Sequence, residues 1–322
     1  MGYLNRMASH RGVLCSGNLV YDTLVSPVEE LHWGPTTFVD CIECHTGGNG
    51  ANTARALAML GVPVRLTGAV GSDSHGEFLL DALARSGVDI AFIERVDVPT
   101  SATVAIVNSS GERKFFHLMG ASREAFRNGI QFTTEICRGM SHYHLASMFV
   151  LPGLRSRCPQ ILIQARAAGL STSFDTNWDP EASWMQTLAP CLPYIDVLFM
   201  NEEEARMVTG SVSPVEIAKA VLSRGLRTLA LKMGGRGCAL YTQDREFVCP
   251  AFEVRAKDTT GAGDCFAAGF LAAMLEGAAL PEAGRFANAV AAMSVQQTGA
   301  GNGVVSLSET KKWMSAATIR DR

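Results

Sequence analysis

The sequence predicts an α/β fold: a doubly wound, mostly parallel sheet flanked by helices, with a small β-sheet lid. Short apolar runs alternate with helical patterns along most of the chain, which implies a parallel sheet covered on both faces. Several helical patterns close on a glycine placed where a left-handed residue ends a helix, at Gly61, Gly87, Gly169 and Gly225. Two stretches, about 20–45 and 93–119, break the alternation. The second contains a hairpin-like pair of runs around Ser109 to Glu112, and both are assigned to the lid.

In chain order, buried strands are expected at Val13 to Ser16, Val64 to Val70, Tyr143 to Ala146, Thr172 to Phe174, Asp196 to Met200 and Thr228 to Leu231. Helices are expected at Ala51 to Leu60, Glu77 to Ser86, Ile161 to Ala168, Glu202 to Val208 and Val215 to Ser223. Residues 12–322 read as one unit behind an N-terminal extension at 1–11, without internal repeats or low-complexity segments.

The bulk properties exclude several classes. A chain of 322 residues, 47% hydrophobic and 18% charged, buries a large core and is not disordered. A net charge of −3 and a pI near 6.2, with no long Lys/Arg block, give no electrostatic reason for nucleic acid or an anionic membrane. No apolar run approaches the ~20 residues of a membrane helix, and the first residues lack a signal-peptide core. A cytoplasmic protein is the expectation. Nine scattered cysteines suit reduced thiols. Cys41-Ile-Glu-Cys44-His45 matches the pattern of covalent haem attachment, but that chemistry needs export; with no second Cys/His pair at finger spacing, it reads as a strand or loop rather than a haem or zinc site.

The chemistry concentrates in Asp258-Thr-Thr-Gly-Ala-Gly-Asp264. Gly261, Ala262 and Gly263 leave their backbone N–H groups open to a ligand at a helix N-terminus, which makes an anion site. Asp264 stands beside the bound anion, where it accepts a proton from an attacking hydroxyl. Phosphoryl transfer to an alcohol needs that pairing. Close packing alone would also want small residues there, and Phe266, Phe270, Leu271, Met274 and Leu275 mark the helix as deeply buried.

Three further motifs support the reading. Gly47-Gly-Asn-Gly-Ala-Asn52 opens a helix with glycines that let a ligand approach and an asparagine that both donates and accepts; alone, it reads first as a glycine turn with an asparagine at the helix start. Asn201-Glu-Glu-Glu204 follows a strand, where open α/β sheets hold their ligands and where its carboxylates can order a magnesium–phosphate hydration shell; it is also a capping box in pattern. Lys232-Met-Gly234-Gly-Arg-Gly237 would face a nucleotide phosphate or ribose, or simply turn a hairpin. Walker-type and GxGxxG signatures are absent.

Together these residues resemble the ribokinase/PfkB family of carbohydrate and nucleoside kinases, from about Val13 to Ser306, with GGNGANTA and DTTGAGDCFAAGF in order and the NxxE element between them. The resemblance implies a doubly wound domain with a β lid over the sugar, ATP as donor, magnesium, and often a monovalent cation such as K⁺. It implies Asp264 as base, with Gly261, Ala262 and Gly263 as anion hole. Asp22, Gly47, Gly48 and Asn52 would hold the acceptor. Asn201, Glu204, Lys232, Gly234, Gly237 and Asn288 would lie on the nucleotide side, Glu204 holding Mg²⁺ through water. Asp258, Thr260, Ser294, Gly299 and Gly303 would form the monovalent-cation site, and a homodimer through the lid is expected. The implied activity is phosphorylation of a hydroxymethyl group on a sugar or sugar-like molecule.

Departures from the ribokinase pattern bear on the acceptor. Val20 replaces an asparagine two residues before Asp22, Lys232 replaces a threonine, and Ser147-Met-Phe-Val-Leu-Pro has no glutamate for the sugar. Arg113, Lys114, His117 and Arg123, in or just after the lid, read as a solvated face rather than a phosphate clamp. Trp33, Phe38, Phe115 and Phe116 leave a purine clamp, and so a nucleoside kinase, open. A non-catalytic binding protein on the same fold is the remaining alternative.

Overall fold

The structure is a computed structural model describing residues 12–320. The expected extension at 1–11 lies outside the described residues. A large sheet of nine strands runs in the order β13-β12-β11-β10-β9-β8-β1-β4-β5. Its strands are β1 (Gly12–Ser16), β4 (Val64–Gly71), β5 (Asp89–Val96), β8 (Met140–Ala146), β9 (Ser171–Asp175), β10 (Val197–Asn201), β11 (Thr228–Lys232), β12 (Cys238–Tyr241) and β13 (Glu246–Cys249). All neighbours are parallel except β11–β12 and β12–β13, which form an antiparallel edge.

Alternation along the strands divides the core between the two faces. Leu14, Leu198, Met200, Leu229 and Leu231 join one buried cluster with residues of the helices Cys158–Ala167, Glu202–Thr209 and Pro214–Leu222. Val13, Cys15, Val197, Phe199 and Ala230 join the other, with the helices Asn49–Met59, Ser74–Arg85, Ala262–Leu275 and Leu280–Ser294. Consecutive side chains of a strand point to opposite faces, so a strand apolar throughout must be covered twice. Gly61, Gly87, Gly169 and Gly225 all have φ between 85° and 96°, as the expected helix terminators.

A separate four-stranded sheet has the order β3-β2-β6-β7, formed by β2 (Val20–Ser26), β3 (Cys41–Gly47), β6 (Ala102–Val107) and β7 (Arg113–Leu118). The second non-alternating stretch therefore enters this sheet later than expected. Ile93 to Val96 belong to β5, paired with Gly68 to Gly71 of the large sheet. Their half-buried pattern matched a lid strand because β5 is an edge strand with one face toward solvent. Cys41 to His45 lie in β3, and all nine cysteines are free. Among the described residues no helix is long and apolar enough to cross a membrane.

Candidate active site

The parallel strands β9, β10 and β11 end at one edge of the sheet, and the residues at or just beyond their carboxyl ends face a cleft of ≈ 470 Å³. Asp175, Asn201 and Lys232 line it from the strand ends, and Gly261, Ala262, Gly263 and Asp264 line it from the helix Ala262–Leu275. Gly261 begins that helix at φ 72°, where a Cβ would also lie 2.6 Å from the Ala300 Cβ. Glycine is required there twice over, by conformation and by space. Ala262 N donates to the Thr259 carbonyl at 3.2 Å, so one of the three expected anion-hole amides has an internal partner. The Gly261 and Gly263 amides have none among the described residues.

Asp264 is 4% exposed. Its Oδ1 accepts from Asn49 Nδ2 at 2.9 Å and its Oδ2 from Asn52 Nδ2 at 2.8 Å. Burial raises its pKa, against the two amide hydrogen bonds and the Lys232 ammonium. A carboxylate held at both oxygens yet pushed toward its neutral form has a raised proton affinity and a fixed aim.

Lys232 Nζ lies 2.6 Å from Asp175 Oδ1, and a Cβ on Gly263 would be 3.1 Å from that nitrogen. The ammonium therefore stands against the Gly261–Gly263 segment. Burial works against its charge, but Asp175, Glu204 and Asp264 outweigh burial and raise its pKa. Asp175 is raised by burial, with Lys232 opposing and Glu204 and Asp264 adding to the rise. Three carboxyl groups thus share one buried ammonium, and Asp175 Oδ2 is buried without a partner among the described residues.

Asn201 and Glu204 form the capping box of the helix Glu202–Thr209: Asn201 Oδ1 accepts from Glu204 N at 2.8 Å and Glu204 Oε2 from Asn201 N at 2.9 Å. Glu204 Oε2 also accepts from Thr176 Oγ1 at 2.8 Å. Capping and lining of the cleft turn out to be compatible, because the helix starts at the strand end where the cleft lies. Gly234 and Gly237 turn the chain between β11 and β12 along the cleft. Asn288 Nδ2 donates to the carbonyls of Cys249 and Pro250, bracing the cleft wall.

The small sheet supplies a second polar surface. His45, Asp22, Thr103 and His117 are direct partners across β3, β2, β6 and β7, so all four share one face. Asp22 backs onto the second glycine motif: a Cβ on Gly47 would sit 1.9 Å from Asp22 Oδ2. Both glycines are also required for space, since a Cβ on Gly48 would lie 2.5 Å from the Asn18 carbonyl oxygen. Burial lifts Asp22 to about 6, against the Thr103 hydroxyl and His45. Ser147, left-handed at φ 64°, places its Oγ 2.7 Å from Asn18 Oδ1 and 3.0 Å from Asn49 Oδ1. A non-glycine residue in that conformation marks local strain, and here it braces the asparagine that holds Asp264.

The five residues expected to bind a monovalent cation converge, since Asp258 Oδ2 accepts from Gly299 N, Asp258 N bonds the Val295 carbonyl beside Ser294, and Gly303 packs on Met293 and Ser294. Ser294 Oγ, however, donates to Ala291 O. Arg113, expected on a solvated face, instead reaches Asp258 and Thr260. Register explains the difference: Arg113 is two residues from Phe115 and four from His117, which puts it on the Asp22 face of the sheet.

The profile of the pfkB family carbohydrate kinases matches residues 11–306. The chain belongs to this family. Ribokinase of Haemophilus influenzae is 28% identical over 84% of this chain and 88% of its own length. A nucleoside kinase of Methanothermobacter thermautotrophicus is 27% identical over 96% and 97%. Ribokinase of Arabidopsis thaliana, solved with ribose and ATP, superposes with a TM-score of 0.82 at 27% identity, over 94% of this chain and 98% of that one. The chain is accordingly a phosphotransferase acting on an alcohol group.

For this pfkB kinase, sequence reasoning missed Asn18, Asn49, His45, Thr103, Ser147 and Asp175. Asp175 carried a usable signal, since it directly follows an expected strand and strand ends hold ligands in such sheets. Asn49 lies inside the GGNGAN motif, one turn before Asn52. Nothing in the sequence pairs His45 or Thr103 with Asp22, because that pairing depends on strand register.

Proposed function

We propose that this pfkB kinase transfers the γ-phosphoryl group of ATP to a hydroxymethyl group of a sugar or sugar-like molecule. One observation carries the reading: a buried carboxylate, Asp264, is aimed by two amides and abuts the free Gly261 and Gly263 amides at a helix N-terminus. Asp264 is then the general base, and the amides with Lys232 form the anion hole that takes up charge on the transferring group. The small sheet acts as the lid, with Asp22, Gly47, Gly48 and Asn52 on the acceptor side. Asn52 Oδ1, buried without a partner among the described residues, leaves an acceptor for a substrate hydroxyl.

Mg²⁺ fits this pocket as an ion held through water. The described residues contain no cluster of three or more direct ligands, while the unpartnered Asp175 Oδ2 and the acidic Glu204 supply outer-sphere acceptors. When bound, the ion neutralises phosphate charge. An ADP-release screen over pentoses, hexoses, keto-deoxy acids, sugar phosphates and nucleosides tests the reading. Turnover with at least one sugar supports it, and no turnover across the panel favours a non-catalytic binding protein.

A nucleoside acceptor is the second reading, supported by the nearly full-length match to a nucleoside kinase and by Phe115, which shares the Asp22 face and is 59% exposed. Phe116 points the other way, and Trp33 and Phe38 are almost fully exposed. A clamp on the Asp22 face would thus rest on one ring of the four.

Asp22 gives a pH test. Because its pKa stands near 6, the carboxylate that accepts substrate hydroxyls forms as pH rises through that value. The kcat/KM for the acceptor therefore rises across about pH 5–7, and in Asp22→Asn the part of this limb that Asp22 supplies is lost, leaving that of Asp264, while kcat/KM falls about 10²-fold. An unchanged profile in the variant would remove Asp22 from the acceptor site.

The opposite face of the small sheet carries exposed Ile42, Val104, Phe116 and Leu118. This apolar row supports a homodimer through the lid. Sedimentation should show a dimer for the wild type and a monomer for Phe116→Glu.

A further inference from the structure

The Asp258–Thr260 segment leads directly into the anion hole, and a residue from the other sheet grips it. Arg113 Nη2 lies 3.0 Å from Asp258 Oδ1, and Arg113 Nη1 lies 2.6 Å from Thr260 Oγ1. The Asp258 side chain is 5% exposed and that of Arg113 26%. Asp258 Oδ1 also accepts from Thr260 N at 2.9 Å and Thr260 Oγ1 at 2.7 Å, while Oδ2 accepts from Gly299 N at 2.9 Å. Four donors converge on one carboxylate, one of them cationic. Exposed pairs such as Arg95–Glu77 resemble it only in charge, since a pair held by two residues and shielded from water contributes far more than a solvated one.

This arrangement disagrees with the monovalent cation that the family resemblance implies. The fit fails at the charged ligand: both Asp258 carboxylate oxygens already accept hydrogen bonds, and the compensating positive charge is covalently part of the chain. The Ser294 hydroxyl is turned to Ala291 O. The small sheet shares no strand pairing with the large one, so the guanidinium also ties two otherwise separately hydrogen-bonded bodies together. The tie falls on Thr260, one residue before Gly261.

We propose that Arg113 is a positioning residue for phosphoryl transfer: its guanidinium serves as the built-in cation of the Asp258–Thr260 segment and couples the seated small sheet to the alignment of the Gly261 and Gly263 amides. This rests on the kinase reading above. With the small sheet in place the segment has its counter-charge and the amides are aligned; with Arg113 withdrawn, Asp258 loses its cationic partner and the segment loosens.

The test compares wild type with Arg113→Gln, Arg113→Lys and, as a control for an exposed ion pair, Arg95→Gln. Hydrogen exchange of the peptide spanning Thr259 to Asp264 should accelerate about 10-fold or more in Arg113→Gln and not in Arg95→Gln. With an acceptor from the screen, kcat of Arg113→Gln should fall about 10–10³-fold while KM for ATP changes little, as for a misplaced oxyanion donor. Arg113→Lys, which keeps the charge and loses the fork, should be intermediate. Guanidinium at non-denaturing concentration should restore part of the Arg113→Gln rate. Wild-type activity should be equal in K⁺ and in tetramethylammonium salts. Strong activation of the wild type by K⁺, or unchanged exchange and unchanged kcat in Arg113→Gln, would overturn the proposal. If the wild type turns over no acceptor, the kinase reading fails, and the exchange experiment still decides whether Arg113 holds the segment. Should Arg113→Gln not fold, the same exchange and rate comparisons on Arg113→Lys decide it.

Discussion

Replacing Asp264 with Asn lowers kcat by about 10²–10⁴-fold, the usual contribution of a general base, while ATP binding measured by calorimetry stays within a few-fold of wild type. The geometry adds to the loss. Both Asp264 oxygens accept from amide groups of Asn49 and Asn52, and an asparagine there has only one oxygen, so one amide would face another donor. Stability moves the other way with pH. The raised pKa of Asp264 means that its contribution to folding is complete below the ordinary carboxylate value and is lost as pH rises through the higher folded value. The variant does not titrate, so its melting temperature gains on wild type as the pH increases from 5 to 8. Near wild-type turnover in Asp264→Asn would refute the assignment of the base.

Lys232→Met has the second large effect, on both folding and turnover. Removing the ammonium leaves Asp175 buried beside Glu204 and Asp264, and breaking a buried pair in this way costs about 3–5 kcal/mol. The sign with pH follows from the carboxyl. Without Lys232 the folded pKa of Asp175 rises further, so stability is retained in acid and lost as pH climbs toward that value. Denaturant melts should therefore show a larger deficit at pH 8 than at pH 5. Asp175→Asn combined with Lys232→Met should recover much of the stability, because no uncompensated charge remains, yet little activity, because the cation beside Gly263 is still missing. A double variant as unstable as Lys232→Met would show that the pair's charge balance is not what matters.

Much of this architecture was legible in the amino-acid order. A strand covered on both faces must be apolar at every position, and the runs ending at Ser16, Met200 and Leu231 could be recognised for that reason. The helices Leu280–Ser294 and Leu307–Ala316 were not anticipated, since small residues dilute the apolar stripe of the first and mean hydropathy is low in the second. Ile93 to Val96 were misplaced because a half-buried edge strand has the same alternation whichever sheet it joins.

The candidate site divides along the same line. Gly261, Gly263 and Asp264, the proposed amides and base, could be named from sequence because they are near neighbours at a helix start, where local geometry suffices. The Lys232–Asp175 pair spans 57 residues, and the Arg113–Asp258 contact spans 145. Such partners meet only because parallel strands end at one edge and because one face of the small sheet turns toward that edge. The amino-acid order by itself determined the strand–helix alternation, the chemistry of Asp258 to Asp264 and hence the class of reaction. Only the tertiary structure decided which carboxylates share a cation, which glycines lie against neighbouring groups of the chain, and that Arg113 of the small sheet meets Asp258. Local conformation follows from neighbouring residues, whereas charge pairing and desolvation depend on contacts that exist only after the sheets have formed.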